Sequence, residues 1–347
     1  MDKLGPLRPS VMQQNFFTGK PHFTEKNVGD LTGKVYIVTG SNTGVGKELA
    51  RILYSANGTV HLACRTESKA NDAIADIKTQ APDSKGEISF LHLDLGDLAT
   101  IKPATEAFAA KHDRLDVLFN NAGVMVPPQG SKTAQGYEMQ LGTNCLGHFA
   151  FTQLLTPILK QTAAREPKGS VRVVWVSSIA AELCAVGGGF KMELLDKEGK
   201  NYAKPQEPMV KYGVSKVGNY LHSVEYARRH KDDGIVSVAA NPGNLDSDLY
   251  RTVNEHTGIQ AMGLRIFTKF MLHPQVNGAY TELFAGLSPD VTMEKTGSWI
   301  GPWGRFFNMR KDIREFAKPT SEGGRGNAAD FWKWSEEHSN EFISSKI

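Results

Sequence analysis

"TGSNTGVG" (39–46) is the stretch on which the fold turns. A dinucleotide-binding turn usually spaces its glycines as GxGxxG between the first strand and the first helix, whereas Gly40, Gly44 and Gly46 give GxxxGxG. Just upstream, "KVYIVTG" (34–40) is a short run of β-branched and aromatic residues that reads as a buried strand. Downstream, "VGKELARILYSA" (45–56) carries Val45, Leu49, Ile52 and Leu53 at a helical period. A glycine-rich turn therefore joins a strand to a helix N-terminus. There, unpaired N–H groups and the positive end of the helix dipole can face a pyrophosphate, and missing side chains let the backbone approach it. An ordinary strand-to-helix turn is the competing reading, and this motif by itself leaves both open.

Working outward, strand and helix alternate. "GTVHLAC" (58–64), "EISFLHLDL" (87–95), "LDVLFNNAG" (115–123), "SVRVVWVSS" (170–178), "GIVSVAANPG" (234–243) and "TGSWIGPWG" (296–304) read as further strands. Between them, helices are expected over 67–79, over 98–112 despite Pro103, along the long apolar stretch 136–159, and over 209–230. Repeated βα units with buried strands predict one doubly wound parallel sheet of about seven strands with helices on both faces. Ligands of such sheets bind beyond the carboxyl ends of the strands, which here carry "TGSNTGVG", "CRTE", "DLGD", "NNAG", "VSS" and "NPGN".

Composition excludes several functions. The 347 residues carry a net charge of +3 with acids and bases interspersed, so no basic stripe invites nucleic acid. No apolar run approaches a membrane span, and the first twenty residues lack the apolar core of a signal peptide, which makes a cytoplasmic protein the expectation. Cys64, Cys145 and Cys184 form no CxxC, and the ten histidines no HExxH, so neither a disulfide framework nor a metal is expected.

Taken together and in order, these motifs resemble the short-chain dehydrogenase/reductase family. They are the TGxxxGxG loop, Asp94 after the third strand, "NNAG" (120–123), Asn144, Ser178, and Tyr212 with Lys216 as YxxxK. Within the family, "ACRTESKA", "NCLGHF", "KYGVSKVGN" and "WIGPWGR" are most similar to the retinol dehydrogenase-like reductases and their fungal relatives. The resemblance spans about 31–303 and implies a single Rossmann-type domain, taken as 31–318. An N-terminal extension (1–30) precedes it and a C-terminal one (319–347) follows. It also assigns Gly40, Ser41, Asn42, Thr43, Gly44, Val45 and Gly46 to the cofactor, places Asp94 and Leu95 by the adenine, and sets Asn121, Ala122 and Gly123 against its ribose.

The second strand bears on which nicotinamide cofactor binds. An NAD site has a carboxylate about twenty residues beyond the glycines, on the ribose 2′-hydroxyl, whereas an NADP site has an arginine for the 2′-phosphate. Arg65, nineteen positions beyond Gly46, can make a charge-assisted contact to phosphate, and Lys69 can add a second charge. Glu67 stands against this, and a solvated arginine at a strand end is the plain alternative. NADPH is the favoured cofactor.

Tyr212 and Lys216, four apart on an expected helix, share a face. Bringing a phenol from a pKa of about 10 to about 7 takes about 4 kcal/mol of preferential stabilisation of the phenolate. A neighbouring ammonium and the positive ring of the oxidised cofactor supply stabilisation of that kind. The resemblance then makes Tyr212 the proton donor, Ser178 the group that polarises the carbonyl, with Ser177 as runner-up, and Lys216 a ribose ligand. Asn144 becomes the holder of a water that connects the lysine to solvent.

Ser178 and Tyr212 are 34 positions apart, and the glycine- and charge-rich segment at about 183–209 is expected as an ordered insertion near the site's mouth. The resemblance also sets Pro242, Gly243, Asn244 and Leu245 against the cofactor, with Ser247 in the place of the family's cofactor-binding threonine. It makes about 244–275 the substrate lid, where Leu264, Phe267 and Met271 on one helical face suggest a bulky apolar carbonyl substrate, with simple core packing of that apolar stripe as the alternative. Phe331, Trp332 and Trp334, on a helix in the C-terminal extension, are expected to close over the sheet end or to pack on a neighbouring subunit of a homo-oligomer.

The function these residues imply is NADPH-dependent reduction of a ketone or aldehyde. The alternatives are oxidation of a retinol- or steroid-like alcohol by the same residues, or a non-catalytic nucleotide sensor. Ser345, Lys346 and Ile347 resemble the peroxisomal Ser-Lys-Leu signal with isoleucine in the last place, a match that ranks behind chance.

Overall fold

Alternation along the strands sets the two faces of the sheet. In β1 (Val35–Thr39), Val35 and Ile37 join one apolar core while Tyr36 and Val38 join the other, and Val173 and Trp175 of β5 (Arg172–Val176) oppose Val174 in the same way. A strand buried on both sides must be covered on both sides, which is why these strands read as continuous apolar runs. The computed structural model describes residues 8–246 and 272–344.

The sheet has eight strands in the order β3-β2-β1-β4-β5-β6-β7-β8, one more than the seven expected. The remaining strands are β2 (Thr59–Cys64), β3 (Glu87–His92), β4 (Val117–Asn120), β6 (Val236–Ala240), β7 (Trp299–Gly301) and β8 (Arg305–Phe307). All neighbours are parallel except β7 and β8. The expected last strand, 296–304, is therefore shorter than read and runs into a hairpin. The chain reverses after Pro302, where Trp303 and Gly304 have φ of +62° and +82° and Gly304 N–H donates to the Gly301 carbonyl at 3.2 Å.

The helices are α1 (Pro9–Asn15), α2 (Gly44–Ser55), α3 (Glu67–Gln80), α4 (Ile101–Ala109), α5 (Met139–Leu141), α6 (His148–Ala163), α7 (Ala180–Leu183), α8 (Pro208–His230), α9 (Gln275–Leu287), α10 (Lys311–Ala317) and α11 (Asn327–Ile343). Residues of α2, α3 and α9 fill one core; α4, α6, α8 and α11 fill the other. Pro103 is tolerated because it falls in the first turn of α4, where no intrahelical partner is lost. The stretch 136–159 is not one regular helix. A π-helical segment, Gly142–Gly147, separates α5 from α6.

The C-terminal helix α11 is built into one of the cores. Phe331 and Trp332 of α11 are buried against α8 and α6 of the same chain, and Trp334 is buried against Tyr137. The 183–209 segment is tied down by the same C-terminal region: Asn327 donates to the Phe190 carbonyl at 2.8 Å, and the Trp334 indole to Gly199 at 3.1 Å. Among the described residues no helix is long and apolar enough to cross a membrane. Ser247, Leu264, Phe267, Met271 and the terminal Ser345, Lys346 and Ile347 lie outside the described residues.

Candidate active site

The glycine turn and the end of β4 meet backbone to backbone. A Cβ on Gly40 (φ +66°) would stand 2.9 Å from the Ala122 Cα, and one on Gly46 would stand 2.5 Å from Asn121 Nδ2. Asn121 Nδ2 donates to the Thr39 carbonyl at 2.7 Å, and Ala122 N–H to Thr39 Oγ1 at 2.9 Å, which stitches the 121–123 turn to the end of β1. Gly44 also has a positive φ of +64°, but a Cβ there would meet nothing within 4 Å, so this side of the turn is open. Thr43, extended at the start of α2, and Asn42 complete the loop. The Ser41 hydroxyl is turned inward onto the Val38 carbonyl at 2.7 Å, so its contribution to a ligand is limited to its backbone. An open turn with glycine backbone at a helix N-terminus is what a pyrophosphate requires, and the residues present fit a dinucleotide.

Around this turn stand the other expected cofactor residues. Gly40 N–H donates to the Ala63 carbonyl at 2.8 Å, which brings the end of β2 alongside and leaves Arg65 exposed one residue beyond Cys64. Arg65 and Lys69 are both exposed and make no hydrogen bond or ion pair among the described residues. Asp94 Oδ1 accepts from Gly96 N–H at 2.9 Å and shapes its own turn, while Leu95 is buried. Val45 and Leu245 both approach Gly278 of α9, and Leu245 is buried there. Pro242 leads into Gly243, which has a φ of +91° and lies against Pro302 and Trp303.

The second group of residues converges from β5, α8 and the π-helical segment. Lys216 Nζ is buried, donates to the Val176 carbonyl at 2.9 Å, and stands 5.9 Å from the centre of the Tyr212 ring. Burial pulls its ammonium down to about 8. Asn219 Nδ2 donates to the same Val176 oxygen at 2.8 Å. Asn144 is held on three sides: Oδ1 accepts from Val124 N–H at 2.8 Å, and Nδ2 donates to the Val124 carbonyl and to Ser215 Oγ, both at 3.0 Å. Gly123 sits between the two, since a Cβ there would be 3.2 Å from Lys216 Nζ and 3.4 Å from Asn144 Oδ1.

The two serines after β5 differ sharply. Ser177 is buried, and its hydroxyl donates to the Lys216 carbonyl at 2.6 Å. Ser178 is half-buried and accepts from Ala180 N–H at 3.2 Å, closing the turn into α7 while its hydroxyl proton stays available for another acceptor. His148 joins the two halves of the site. Its Nδ1 lies 3.1 Å from the Asn144 carbonyl, an acceptor only, so Nδ1 carries the proton and Nε2, 3.0 Å from Thr39 Oγ1, accepts. Complete burial lowers its pKa to about 3 and keeps the ring neutral.

Comparison with known proteins agrees with this architecture. A sequence model of the short chain dehydrogenase family matches residues 34–188. A short-chain dehydrogenase/reductase of Phomopsis amygdali is 52% identical over 331 residues, covering 94% of this chain and 96% of its own. The chain belongs to the short-chain dehydrogenase/reductase family. Another family member, from Neocamarosporium betae, is 43% identical over 96% of this chain and 94% of its own length. Among solved structures, an uncharacterised protein of Mycobacterium paratuberculosis superimposes with a TM-score of 0.62 at 27% identity, covering 92% of this chain and 97% of that one. The RhlG/NADP active-site complex of Pseudomonas aeruginosa shares the fold, with a TM-score of 0.58 at 22% identity over 81% of this chain and 97% of that one.

Reading the sequence as a short-chain dehydrogenase/reductase named Tyr212, Lys216, Asn144 and Ser178, and the structure brings the last three to the ends of β4 and β5 on the side where α8 presents Tyr212. It missed Ser215, Asn219 and His148, whose spacing on helices is indistinguishable from ordinary core polar residues. It also missed the N-terminal amides Gln14 and Asn15, both buried.

Proposed function

We propose that this protein is an NADPH-dependent reductase of ketones or aldehydes. One observation carries the reading: the buried Lys216 ammonium, anchored on Val176 and 5.9 Å from the Tyr212 ring centre, next to the Ser178 turn. When bound, the nicotinamide supplies a hydride. Tyr212 donates its phenolic proton to the carbonyl oxygen as charge develops there, and the Lys216 cation stabilises the phenolate left behind. Ser178 donates its hydroxyl hydrogen bond to the same oxygen, which is where charge accumulates. Asn144 keeps the Val124 backbone and Ser215 of α8 in register, so the lysine and tyrosine stay fixed relative to the β4 turn.

The preference for NADPH rests on Arg65, an unpaired guanidinium at the end of β2 with the unpaired Lys69 four positions on. An apolar substrate is supported by exposed hydrophobic side chains next in sequence to site residues: Phe16 and Phe17 follow Asn15, Leu183 follows Glu182, and Met209 precedes Tyr212 by three positions. The test is loss of NADPH absorbance against a panel of apolar ketones, aldehydes, quinones and enones, with NADH in parallel. Turnover of bulky ketones or aldehydes with NADPH is the expected result. A protein that binds NADPH and reduces none of the panel would overturn the reading.

A further inference from the structure

Gln14, in the segment that precedes the family core, is 1% exposed and bonds to three distant parts of the chain. Its Oε1 accepts from the Trp299 indole N–H and from Asn241 Nδ2, both at 3.1 Å, and its Nε2 donates to Glu182 Oε1 at 3.0 Å. The indole can only donate, so it fixes which end of the amide is oxygen, and the nitrogen must then face the carboxyl of Glu182. Asn15 adds a parallel bond: its Oδ1 accepts from Asn244 Nδ2 at 2.9 Å. The consecutive amides 14 and 15 thus grip Asn241 and Asn244, the residues that bracket Pro242 and Gly243, while Gln14 also holds Glu182, four positions beyond Ser178. Arg8 extends the same contact, donating to the Glu182 carbonyl at 3.0 Å.

Resting on the reductase reading, we propose that Gln14 is a positioning residue that locks the Ser178 turn to the Asn241–Asn244 loop, so that α1 forms part of the active site. The amide suits this task because it accepts on one side and donates on the other, whereas an apolar residue of similar size would leave the Trp299 and Asn241 donors buried without partners. The charged and titratable groups around Glu182 are Arg8, Arg310, Asp312 and the Tyr220 phenol, and Gln14 is the neutral donor among them.

Two variants of the full chain test this. Gln14→Leu is expected to lower kcat at least tenfold, to raise the KM for the carbonyl substrate and to weaken NADPH severalfold, because the loop it releases carries the expected cofactor residues Pro242, Gly243 and Asn244. Hydrogen exchange should accelerate in both 178–186 and 241–246. Gln14→Glu keeps the shape and both acceptor bonds but sets two carboxyls face to face. They can share a proton at low pH and repel once both ionise, so its activity should fall with rising pH where the wild-type activity does not. A wild-type pH profile in Gln14→Glu overturns the proposal, as does unchanged exchange in those two segments of Gln14→Leu. If Gln14→Leu does not fold, the isosteric Gln14→Glu carries the test. A wild-type protein with no turnover overturns the reductase reading alone, because the exchange measurement still decides the clamp.

Discussion

Lys216 donates from Nζ to the Val176 carbonyl at 2.9 Å, two residues before Ser178, and the same ammonium stands 5.9 Å from the Tyr212 ring centre. One buried cation therefore sets the distance between the strand end and the tyrosine. Lys216→Met keeps much of the volume and removes a desolvated charge, so stability should change by no more than about 1–2 kcal/mol, while kcat falls at least about a thousandfold. Tyr212→Phe should bind NADPH with wild-type affinity and lose activity to a similar degree, since only the proton donor is gone. Single-turnover reduction together with a cofactor binding titration checks both. Appreciable turnover by Tyr212→Phe would sink the mechanism.

Ser177 and Ser178 should separate stability from catalysis. Ser177→Ala removes a buried hydrogen bond to the Lys216 carbonyl and is expected to cost about 1 kcal/mol of stability, with a modest effect on rate. Ser178→Ala removes a half-buried hydroxyl outside that lock and is expected to lower kcat at least about a hundredfold with little change in Tm. Denaturation curves and steady-state rates on both variants decide, and the reverse pattern would move the catalytic role to Ser177.

Arg65→Asp replaces an exposed, unpaired cation with an anion at the end of β2. NADPH affinity should fall by about a hundredfold or more, through a lost charge-assisted bond and a new repulsion, while NADH affinity moves little. Equilibrium titrations with the two cofactors give the ratio. A ratio that stays put would assign the 2′-phosphate to other residues.

What could be read from the sequence was whatever leaves a periodic or local trace. Strands buried on both faces, the glycine turn at 40–46 and the four-residue spacing of Tyr212 and Lys216 are all local. The eighth strand escaped because three residues, Arg305–Phe307, carry too short a pattern to separate from the hairpin before them. The π-helical turn at Gly142–Gly147 escaped because its apolar residues mimic a regular helix. Gln14 and Asn15 were invisible for another reason. They lie in a polar stretch, and their partners Glu182, Asn241, Asn244 and Trp299 are more than 160 positions away, so only the folded chain shows that both amides are buried.

Glu282 lies on α9 with no exposed surface, and neither of its carboxyl oxygens has a hydrogen-bond partner among the described residues. Burial pushes its pKa up to about 8, with the Lys216 charge pulling the other way. A raised carboxyl pKa means that between the unfolded value near 4.5 and about 8 the native protein holds a proton the unfolded chain has released. Stability from this group is therefore greatest at low pH and declines as pH rises towards 8. Glu282→Gln fixes the side chain in a neutral form and removes that slope. The variant should gain on the wild type by about 1 kcal/mol or more between pH 5 and pH 8, a relative shift of about 2 °C or more in Tm. Thermal unfolding of both proteins at the two pH values reads the difference. Parallel curves would mean that Glu282 is already ionised in the native state, leaving a buried carboxylate next to the Lys216 cation.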